Sequence, residues 1–128
     1  MARNRILIAD PNPAVRQTLL DLLQEDAETV STVDNAEAVA GTATALSANI
    51  IVLGMNFKGA TGFDIARRLR QAGCPAQIII VSAHESSDLA RAAVAVGASA
   101  YVFMSRLLDD LPAAVDTVCE GKTFEPAP

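Results

Sequence analysis

Three short apolar runs stand at intervals along the chain. They are ILIA at 6–9, IIVL at 50–53 and IIIV at 78–81. Each run is continuous rather than alternating and is rich in β-branched residues, which is typical of strands covered on both faces. Two weaker runs, TVSTV at 29–33 and AYVFM at 100–104, share this character. The pattern therefore predicts five strands.

Helical patterns occupy the stretches that follow these strands. Asn12 is placed to cap a first helix that has Pro13 in its first turn. A third helix, from about Gly62 to a stop at Gly73 and Pro75, has an apolar and a basic face. The apolar positions are Phe63, Ala66 and Leu69, and the basic positions, predicted to point outward, are Arg67, Arg68 and Arg70. The other helices are predicted over Ala36–Leu46, over Ser87–Val96, and from a cap at Asp109 or Asp110 that leaves Pro112 in the first turn.

The order of these elements is a βα unit repeated five times with short connections. That order predicts an α/β domain whose parallel sheet is covered by helices on both faces. No linker, repeat or low-complexity tract interrupts residues 1–128, so a single domain is expected. Ligands of such sheets lie beyond the carboxyl ends of the strands. The stretches at those ends are Asp10–Asn12, Gly54–Thr61, Ser82–Glu85 and Met104–Arg106.

The composition narrows the class of protein. The chain has 128 residues, of which 51% are hydrophobic and 20% charged, and its mean hydropathy is +0.29, as in compact globular domains. No apolar run approaches the roughly 20 residues of a membrane span, so a cytoplasmic location is expected. The net charge of −5 argues against direct binding of nucleic acid by this domain.

The two cysteines do not form a recognisable motif. Cys74 and Cys119 are far apart in sequence, without a CxxC pair or a Cys/His cluster. Cys74 is expected to be a loop thiol and Cys119 to pack within a helix. Neither a disulfide nor a metal site is predicted.

Four stretches resemble, in order and spacing, a known signalling family. They are ILIADPNPAVRQTLLDLL, IIVLGMNFKGATGFDIARRLR, IIIVSAHESSDLARAAVAVGASAYVFMS and LPAAVDTVCEGKTFEP. Over nearly its whole length the chain is similar to the receiver domain of bacterial two-component response regulators. VGASAYVFMS and EGKTFEP are most similar to receivers that precede a helix-turn-helix output domain of the nitrate-response/LuxR-like class. The resemblance implies a flavodoxin-like (βα)5 fold, doubly wound, with strand order 2-1-3-4-5.

The resemblance also implies a chemistry, phosphoryl transfer from a histidine kinase to an aspartate after the third strand. Two acids after the first strand help to hold Mg²⁺, a Ser/Thr after the fourth hydrogen-bonds the phosphoryl group, and a lysine after the fifth pairs with it. In this sequence the acid pair falls on Asp10 and Pro11, the phosphoacceptor on Gly54, the hydroxyl on Ser82, the switch aromatic on Tyr101 and the lysine on Met104.

No small shift of register restores the missing groups. The chain has no Asp or Glu between Glu37 and Asp64, and Asn56 is an amide with little nucleophilicity. Both lysines, Lys58 and Lys122, are remote in sequence from the end of the fifth strand. We therefore predict a pseudo-receiver that cannot be phosphorylated. It is expected to be no enzyme and to hold no cofactor or metal.

The same loops allow other interpretations. GMNFKGAT at 54–61 nearly matches a P-loop, but Ala60 stands where the lysine is required, which disfavours nucleotide binding. Without metal partners, Asp10 needs a cation or its pKa will rise, and Lys58 and Arg106 are the candidates for an ion pair. His84 is expected to be a solvated loop residue rather than a pH sensor or metal ligand.

The switch pair and the fourth helix suggest where partners bind. Ser82 and Tyr101 occupy the positions of the switch pair in the resembling family. The alternative is that Ser82 only hydrogen-bonds backbone groups and that Tyr101 is fixed permanently inward or outward. The fourth helix, SDLARAAVAVGA, is rich in small apolar residues, with Ala90, Ala93 and Val94 able to face the sheet. In the resembling family this helix, the fifth strand and the fifth helix form a common partner surface, though a well-packed helix is the alternative. The interface candidates are Leu89, Ala92, Val96, Tyr101, Arg106 and Leu107.

The prediction for function is an atypical receiver in signal transduction and transcription regulation. It would act by phosphorylation-independent protein–protein interaction, either as a homodimer or with another protein. The alternative is small-molecule sensing in the vacated pocket, lined by Asp10, Gly54, Ser82 and Met104. The ending GKTFEPAP is where similar regulators continue into a linker, so a C-terminal DNA-binding domain is expected beyond residue 128.

Overall fold

The computed structural model describes residues 3–126, which contain a five-stranded parallel sheet. The order of the strands across the sheet is β2-β1-β3-β4-β5. The predicted flavodoxin-like fold and strand order are confirmed. The strands are β1 (Asn4–Ala9), β2 (Ala27–Val33), β3 (Ile50–Leu53), β4 (Gln77–Ser82) and β5 (Ala100–Phe103).

Five helices cover the two faces of this sheet. On one face α2, α3 and α4 bury small and branched residues, and on the other α1 and α5 bury mainly leucine and valine. Every residue of β3 is inaccessible to solvent, which explains why its sequence is a continuous apolar run. The helices are α1 (Pro13–Leu23), α2 (Glu37–Leu46), α3 (Gly62–Gln71), α4 (Ser87–Ala95) and α5 (Leu107–Cys119).

The start of α5 differs from the prediction. A 3₁₀ turn, Met104–Arg106, leads directly into the helix, which begins at Leu107 rather than after an aspartate cap. Pro112 consequently lies in the second turn, where its missing N–H removes one helical hydrogen bond. The aspartates instead lie in the first turn, where a carboxylate is favoured by the helix dipole.

Two smaller packing predictions are also corrected. Cys119 does not pack within the fold, because its side chain is exposed at the end of α5, with Sγ 3.3 Å from Asn4 Oδ1. Val94 is only half-buried, whereas Ala90 and Ala93 face the sheet as predicted. The alanines have the small side chains that let α4 lie close to the strands.

Arg70 was predicted to point outward but instead joins three segments. Its Nε donates to the carbonyl oxygen of Gly97 at 2.8 Å, and Nη1 donates to those of Cys74 at 2.9 Å and Ala76 at 2.7 Å. Gly97 has φ +107° and lies against the stem of Arg70, so that a Cβ there would overlap Arg70 Cγ. The guanidinium thus ties α3 to the segments preceding β4 and β5.

Replacing Arg70 with alanine is expected to lower the free energy of unfolding by roughly 2–4 kcal/mol, because three carbonyls lose a charged donor. Arg68→Ala, at an exposed position on the same helix, is the matched control and should change stability by less than about 0.5 kcal/mol. Urea denaturation followed by circular dichroism measures both. Equal losses in the two variants would contradict this role.

The segment after α5 returns to the edge of the sheet. Phe124 N donates to Ser99 O at 2.9 Å, and Tyr101 N donates to Phe124 O at 3.1 Å, so that the segment pairs with β5. The predicted start of a linker at 121–128 coincides with this segment, and residues 127–128 lie outside the described part. No helix within residues 3–126 is long and apolar enough to cross a membrane.

Candidate functional site

A cleft of about 650 Å³ opens at the carboxyl ends of the strands. The ends of β1 and β4, the start of α1, and the turns after β3 and β5 meet here. The fold therefore brings together most of the residues selected from the sequence. Those that line the cleft are Asp10, Pro11, Asn56, Ser82 and Met104.

Asp10 occupies the space in front of Gly54. Gly54 N donates to Ala9 O at 2.9 Å, which fixes the backbone of Gly54 beside the end of β1. A Cβ built on Gly54 would overlap Asp10 Oδ2 and would lie only 2.8 Å from Asp10 Cγ. The volume into which a side chain at position 54 would extend is thus filled by the neighbouring carboxylate.

The hydrogen bonds of Asp10 are local. Its Oδ1 accepts from Asn12 N at 2.8 Å, and within residues 3–126 no group donates to Oδ2. Arg16 approaches from α1, but its Nη1 donates to the backbone oxygens of Asp10 at 2.9 Å and Pro11 at 3.1 Å. The carboxylate is therefore held by one backbone N–H, with a guanidinium nearby.

The predicted ion pair of Asp10 with Lys58 or Arg106 is wrong. Arg106 Nε is 3.2 Å from Asp110 Oδ2, one turn along α5. Lys58 is exposed at the turn of a short hairpin and does not line the cleft. Neither cation pairs with Asp10, since Arg106 is engaged by Asp110 and Lys58 is exposed on the hairpin.

Burial raises the pKa of the Asp10 carboxyl above its ordinary value of 3.8, while the Asn12 N–H and the charge of Arg16 oppose the rise. Between 3.8 and the raised pKa the folded chain binds the proton more tightly than the unfolded chain does. Stability therefore falls as pH rises through that window, and at pH 7 the ionised group is destabilising.

Asp10→Asn is accordingly expected to raise the free energy of unfolding at pH 7. An amide oxygen still accepts from Asn12 N, and the burial of a charge is removed. The advantage should disappear as the pH falls below 3.8, where Asp10 is protonated in both states. Urea titrations at several pH values test this, with exposed Asp26→Asn as the control. A stability difference that does not vary with pH would contradict it.

Ser82 and Tyr101 form a buried pair. Ser82 Oγ accepts from His84 N at 3.0 Å, and the Tyr101 hydroxyl donates to His84 O at 2.9 Å. Burial raises the pKa of the Tyr101 phenol, and a hydrogen bond with Ser82 opposes the rise. Tyr101 is therefore oriented inward, with its hydroxyl on the loop after β4, while the His84 side chain is exposed.

The predicted interface set is corrected by this burial. Tyr101 is 0% exposed and Leu107 6% exposed, so neither presents a side chain to a partner in this conformation. Leu89 and Val96 are half-buried against the core. Ala92 is also half-buried and Arg106 is exposed, so these four residues remain interface predictions.

The loop after β3 forms a hairpin, Asn56–Phe57 with Ala60–Thr61, and not an open phosphate-binding loop. Gly59 has φ +78°, the left-handed conformation that such a turn requires. Thr61 and Asp64 then form a capping box at the start of α3. The spacing of glycines that resembles a P-loop is explained by this turn and by close backbone contacts.

The Mg²⁺ that the resemblance implies does not fit the residues present. Asp10 is the single carboxylate at the cleft, and Pro11 and Gly54 provide no side-chain oxygen. No group of three His, Cys, Asp or Glu residues within 3–126 could hold a metal ion. Mg²⁺ loses its water shell reluctantly and prefers several oxygen ligands, so this donor set is too sparse.

Several residues of the site were not selected from the sequence, and Met55 and Arg16 are two of them. Met55 lines the cleft beside Asn56, and Arg16 holds the backbone at Asp10 and Pro11. The one feature of the sequence that points to a role of Arg16 at the site is its position in the first turn of α1, shortly after the capping residue Asn12. Met55 carried none, because a methionine after a strand is more often a packing residue.

Comparison with known proteins agrees with the fold and the site's position. Residues 6–116 match the response regulator receiver domain, which is most of the chain. The chain belongs to the response regulator receiver domain family. Receiver domains are signalling domains of response regulators and are typically not enzymes.

Among its relatives is the nitrate/nitrite response regulator protein NarP of Escherichia coli (strain K12), 31% identical over 100 residues, covering 77% of this chain and 46% of NarP. The positive transcription regulator BvgA of Bordetella pertussis is 25% identical over 125 residues, which cover 97% of this chain and 60% of BvgA. The chain thus spans about half the length of these relatives.

A LuxR-family two-component response regulator from Aurantimonas sp. SI85-9A1 has a similar solved structure. Its TM-score is 0.88 at 26% identity, with 96% of this chain and 89% of that one covered. The non-phosphorylated receiver domain of RcsB from Escherichia coli has a TM-score of 0.86 at 19% identity, with 98% of this chain and 100% of that one covered. At this low identity the likeness concerns the fold alone.

Proposed function

We propose that this receiver domain regulates by protein–protein contact and independently of phosphorylation. The observation that carries the proposal is the position of Asp10 over Gly54. Phosphoryl transfer needs a nucleophile at the end of β3, and at that point the chain has only a glycine backbone covered by another residue's carboxylate.

The charge of the cleft supports the same conclusion. Of the described residues that line it, Asp10 alone is charged, and Met104 stands where a lysine would neutralise a phosphoryl group. A phosphoryl anion here would face a carboxylate at close range in a partly desolvated site. Transfer into such a site is disfavoured by like-charge repulsion.

The surface of α4, β5 and α5 is proposed as the contact region. Arg106 is exposed there, and Leu89, Ala92 and Val96 form a half-buried apolar stripe along α4. In the whole protein this contact would control a C-terminal DNA-binding domain, since the relatives are longer response regulators and BvgA is named as a transcription regulator. The acidic receiver itself is not expected to bind DNA, and its location is expected to be cytoplasmic.

Sedimentation velocity over a range of protein concentrations tests this proposal, with and without acetyl phosphate and Mg²⁺. The same distribution of monomer and dimer is expected in both conditions, because the phosphodonor has no acceptor. A dimer in both would indicate self-association, and a monomer in both a different protein partner. A change in the distribution caused by the phosphodonor would contradict the proposal.

A further inference from the structure

One oxygen of the cleft is an open acceptor. Asp10 is 9% exposed, and its Oδ1 is satisfied by Asn12 N. Its Oδ2 has no donor within residues 3–126, yet no side-chain oxygen of that part is both fully buried and unpaired. Oδ2 is therefore reachable from the cleft, and a ligand with a hydrogen-bond donor can bind there.

The charge around this oxygen favours a positively charged ligand. Asp10 is the one charged side chain among the described residues that line the cleft. Arg16 lies near Asp10 and partly offsets its charge, but it donates to backbone oxygens and does not line the cleft, and Arg106 is paired with Asp110. A cation thus gains the attraction of a carboxylate that is partly removed from water, whereas an anion is repelled.

The lining of the cleft favours a ligand whose remaining part is apolar. Apolar residues form most of the lining, among them Val15, Met55, Val81 and Met104, and thioethers adapt to varied shapes. A metal ion lacks ligands here, because no group of three His, Cys, Asp or Glu residues within 3–126 could hold one. A volume of about 650 Å³ with few polar groups is typical of sites for small organic molecules.

We propose that the cleft binds a small organic cation, a primary ammonium group on an apolar body. The ammonium donates to Asp10 Oδ2 and the body packs between Met55 and Met104. This inference rests on the proposed function in one respect, namely that the site is free of phosphoryl chemistry. A bound ammonium ligand would then take the place of phosphorylation as the signal that this domain receives.

Methyl NMR of methionine-labelled protein provides a direct test. The chain has three methionines, of which Met55 and Met104 line the cleft, and Met104→Leu assigns one signal. Benzylammonium chloride is expected to shift both cleft methyls saturably, with a roughly millimolar dissociation constant for so small a ligand. Benzyl alcohol has the same shape without the charge, and its affinity should be lower by about tenfold or more.

Two variants and one control complete the test. Asp10→Asn should weaken benzylammonium binding by about tenfold or more, and Met104→Lys should abolish it by placing a cation in the cleft. Asp116→Asn, at an exposed position in a different cleft between α1 and α5, should leave it unchanged. Both variant spectra show directly whether the fold is retained.

Several results would overturn the inference. They are no saturable shift with benzylammonium, equal affinity for benzyl alcohol, unchanged affinity in Asp10→Asn, or the same methyl shifts with MgCl₂ alone. The test of the proposed function reads a different quantity, the distribution of monomer and dimer with and without the phosphodonor. A change in that distribution would therefore refute the proposed function, while the benzylammonium titration would still decide this inference.

Discussion

A triple variant, Pro11→Asp/Gly54→Asp/Met104→Lys, is expected to acquire a covalent phosphate from acetyl phosphate and Mg²⁺, whereas Gly54→Asp alone is not. In both variants the new Cβ at position 54 displaces the Asp10 carboxylate, but in the single variant two carboxylates compete for one space without a metal or a lysine to neutralise them. The triple variant supplies the second metal-binding acid and the cation that phosphoryl transfer requires.

The gain should be large, from no detectable adduct to a substantial fraction of the protein as measured by intact-mass spectrometry. Pro11→Asp/Gly54→Asn/Met104→Lys is the matched control, since it retains the metal acids and the lysine but has an amide in place of the nucleophile. Phosphate on Gly54→Asp alone, to the same extent as on the triple variant, would show that Pro11 and Met104 do not matter.

Gly62→Ala is expected to lower the free energy of unfolding by roughly 3 kcal/mol or more, the upper range of overpacking effects. A Cβ at Gly62 would overlap the carbonyl oxygen of Gly54, which is backbone and cannot rotate away. Gly62 N also donates to Met55 O at 2.9 Å. The first residue of α3 is thus held against the loop that carries the site.

Gly41→Ala is the control for this substitution. Gly41 lies within α2, and a Cβ there would meet nothing within 4 Å. Alanine at that position should raise stability by roughly 0.5–1 kcal/mol, because it favours the helix. Urea denaturation measures both variants. Similar, small changes at Gly41 and Gly62 would contradict the close approach of Gly54 and Gly62.

The fold could be predicted because its signals are local. Three buried strands appear as continuous apolar runs, and caps such as Asn12 lie where the helices begin. The start of α5 could not be placed, because the 3₁₀ turn at Met104–Arg106 extends the helix backward without a capping side chain. Arg70 was also misplaced, since its partners are backbone oxygens that leave no mark in the sequence.

The residues of the cleft could be named from the sequence, but their arrangement could not. Resemblance placed Asp10, Gly54, Ser82 and Met104 at the ends of strands, and all but Gly54 line the cleft. That Asp10 covers Gly54, and that neither Lys58 nor Arg106 pairs with it, depends on side-chain directions in three dimensions. Its charge and its place in the adjacent loop suggested Lys58 as a partner, although that side chain is exposed on the hairpin.

The proposal that this chain is not phosphorylated is tested most directly by the intact mass of the unaltered chain after incubation with acetyl phosphate and Mg²⁺. The triple variant, treated in parallel, shows that the donor is active. No added mass on the unaltered chain is expected, because Gly54 offers no nucleophile and Asp10 fills the space before it. A covalent phosphate on the unaltered chain would contradict the proposal that it signals without phosphorylation.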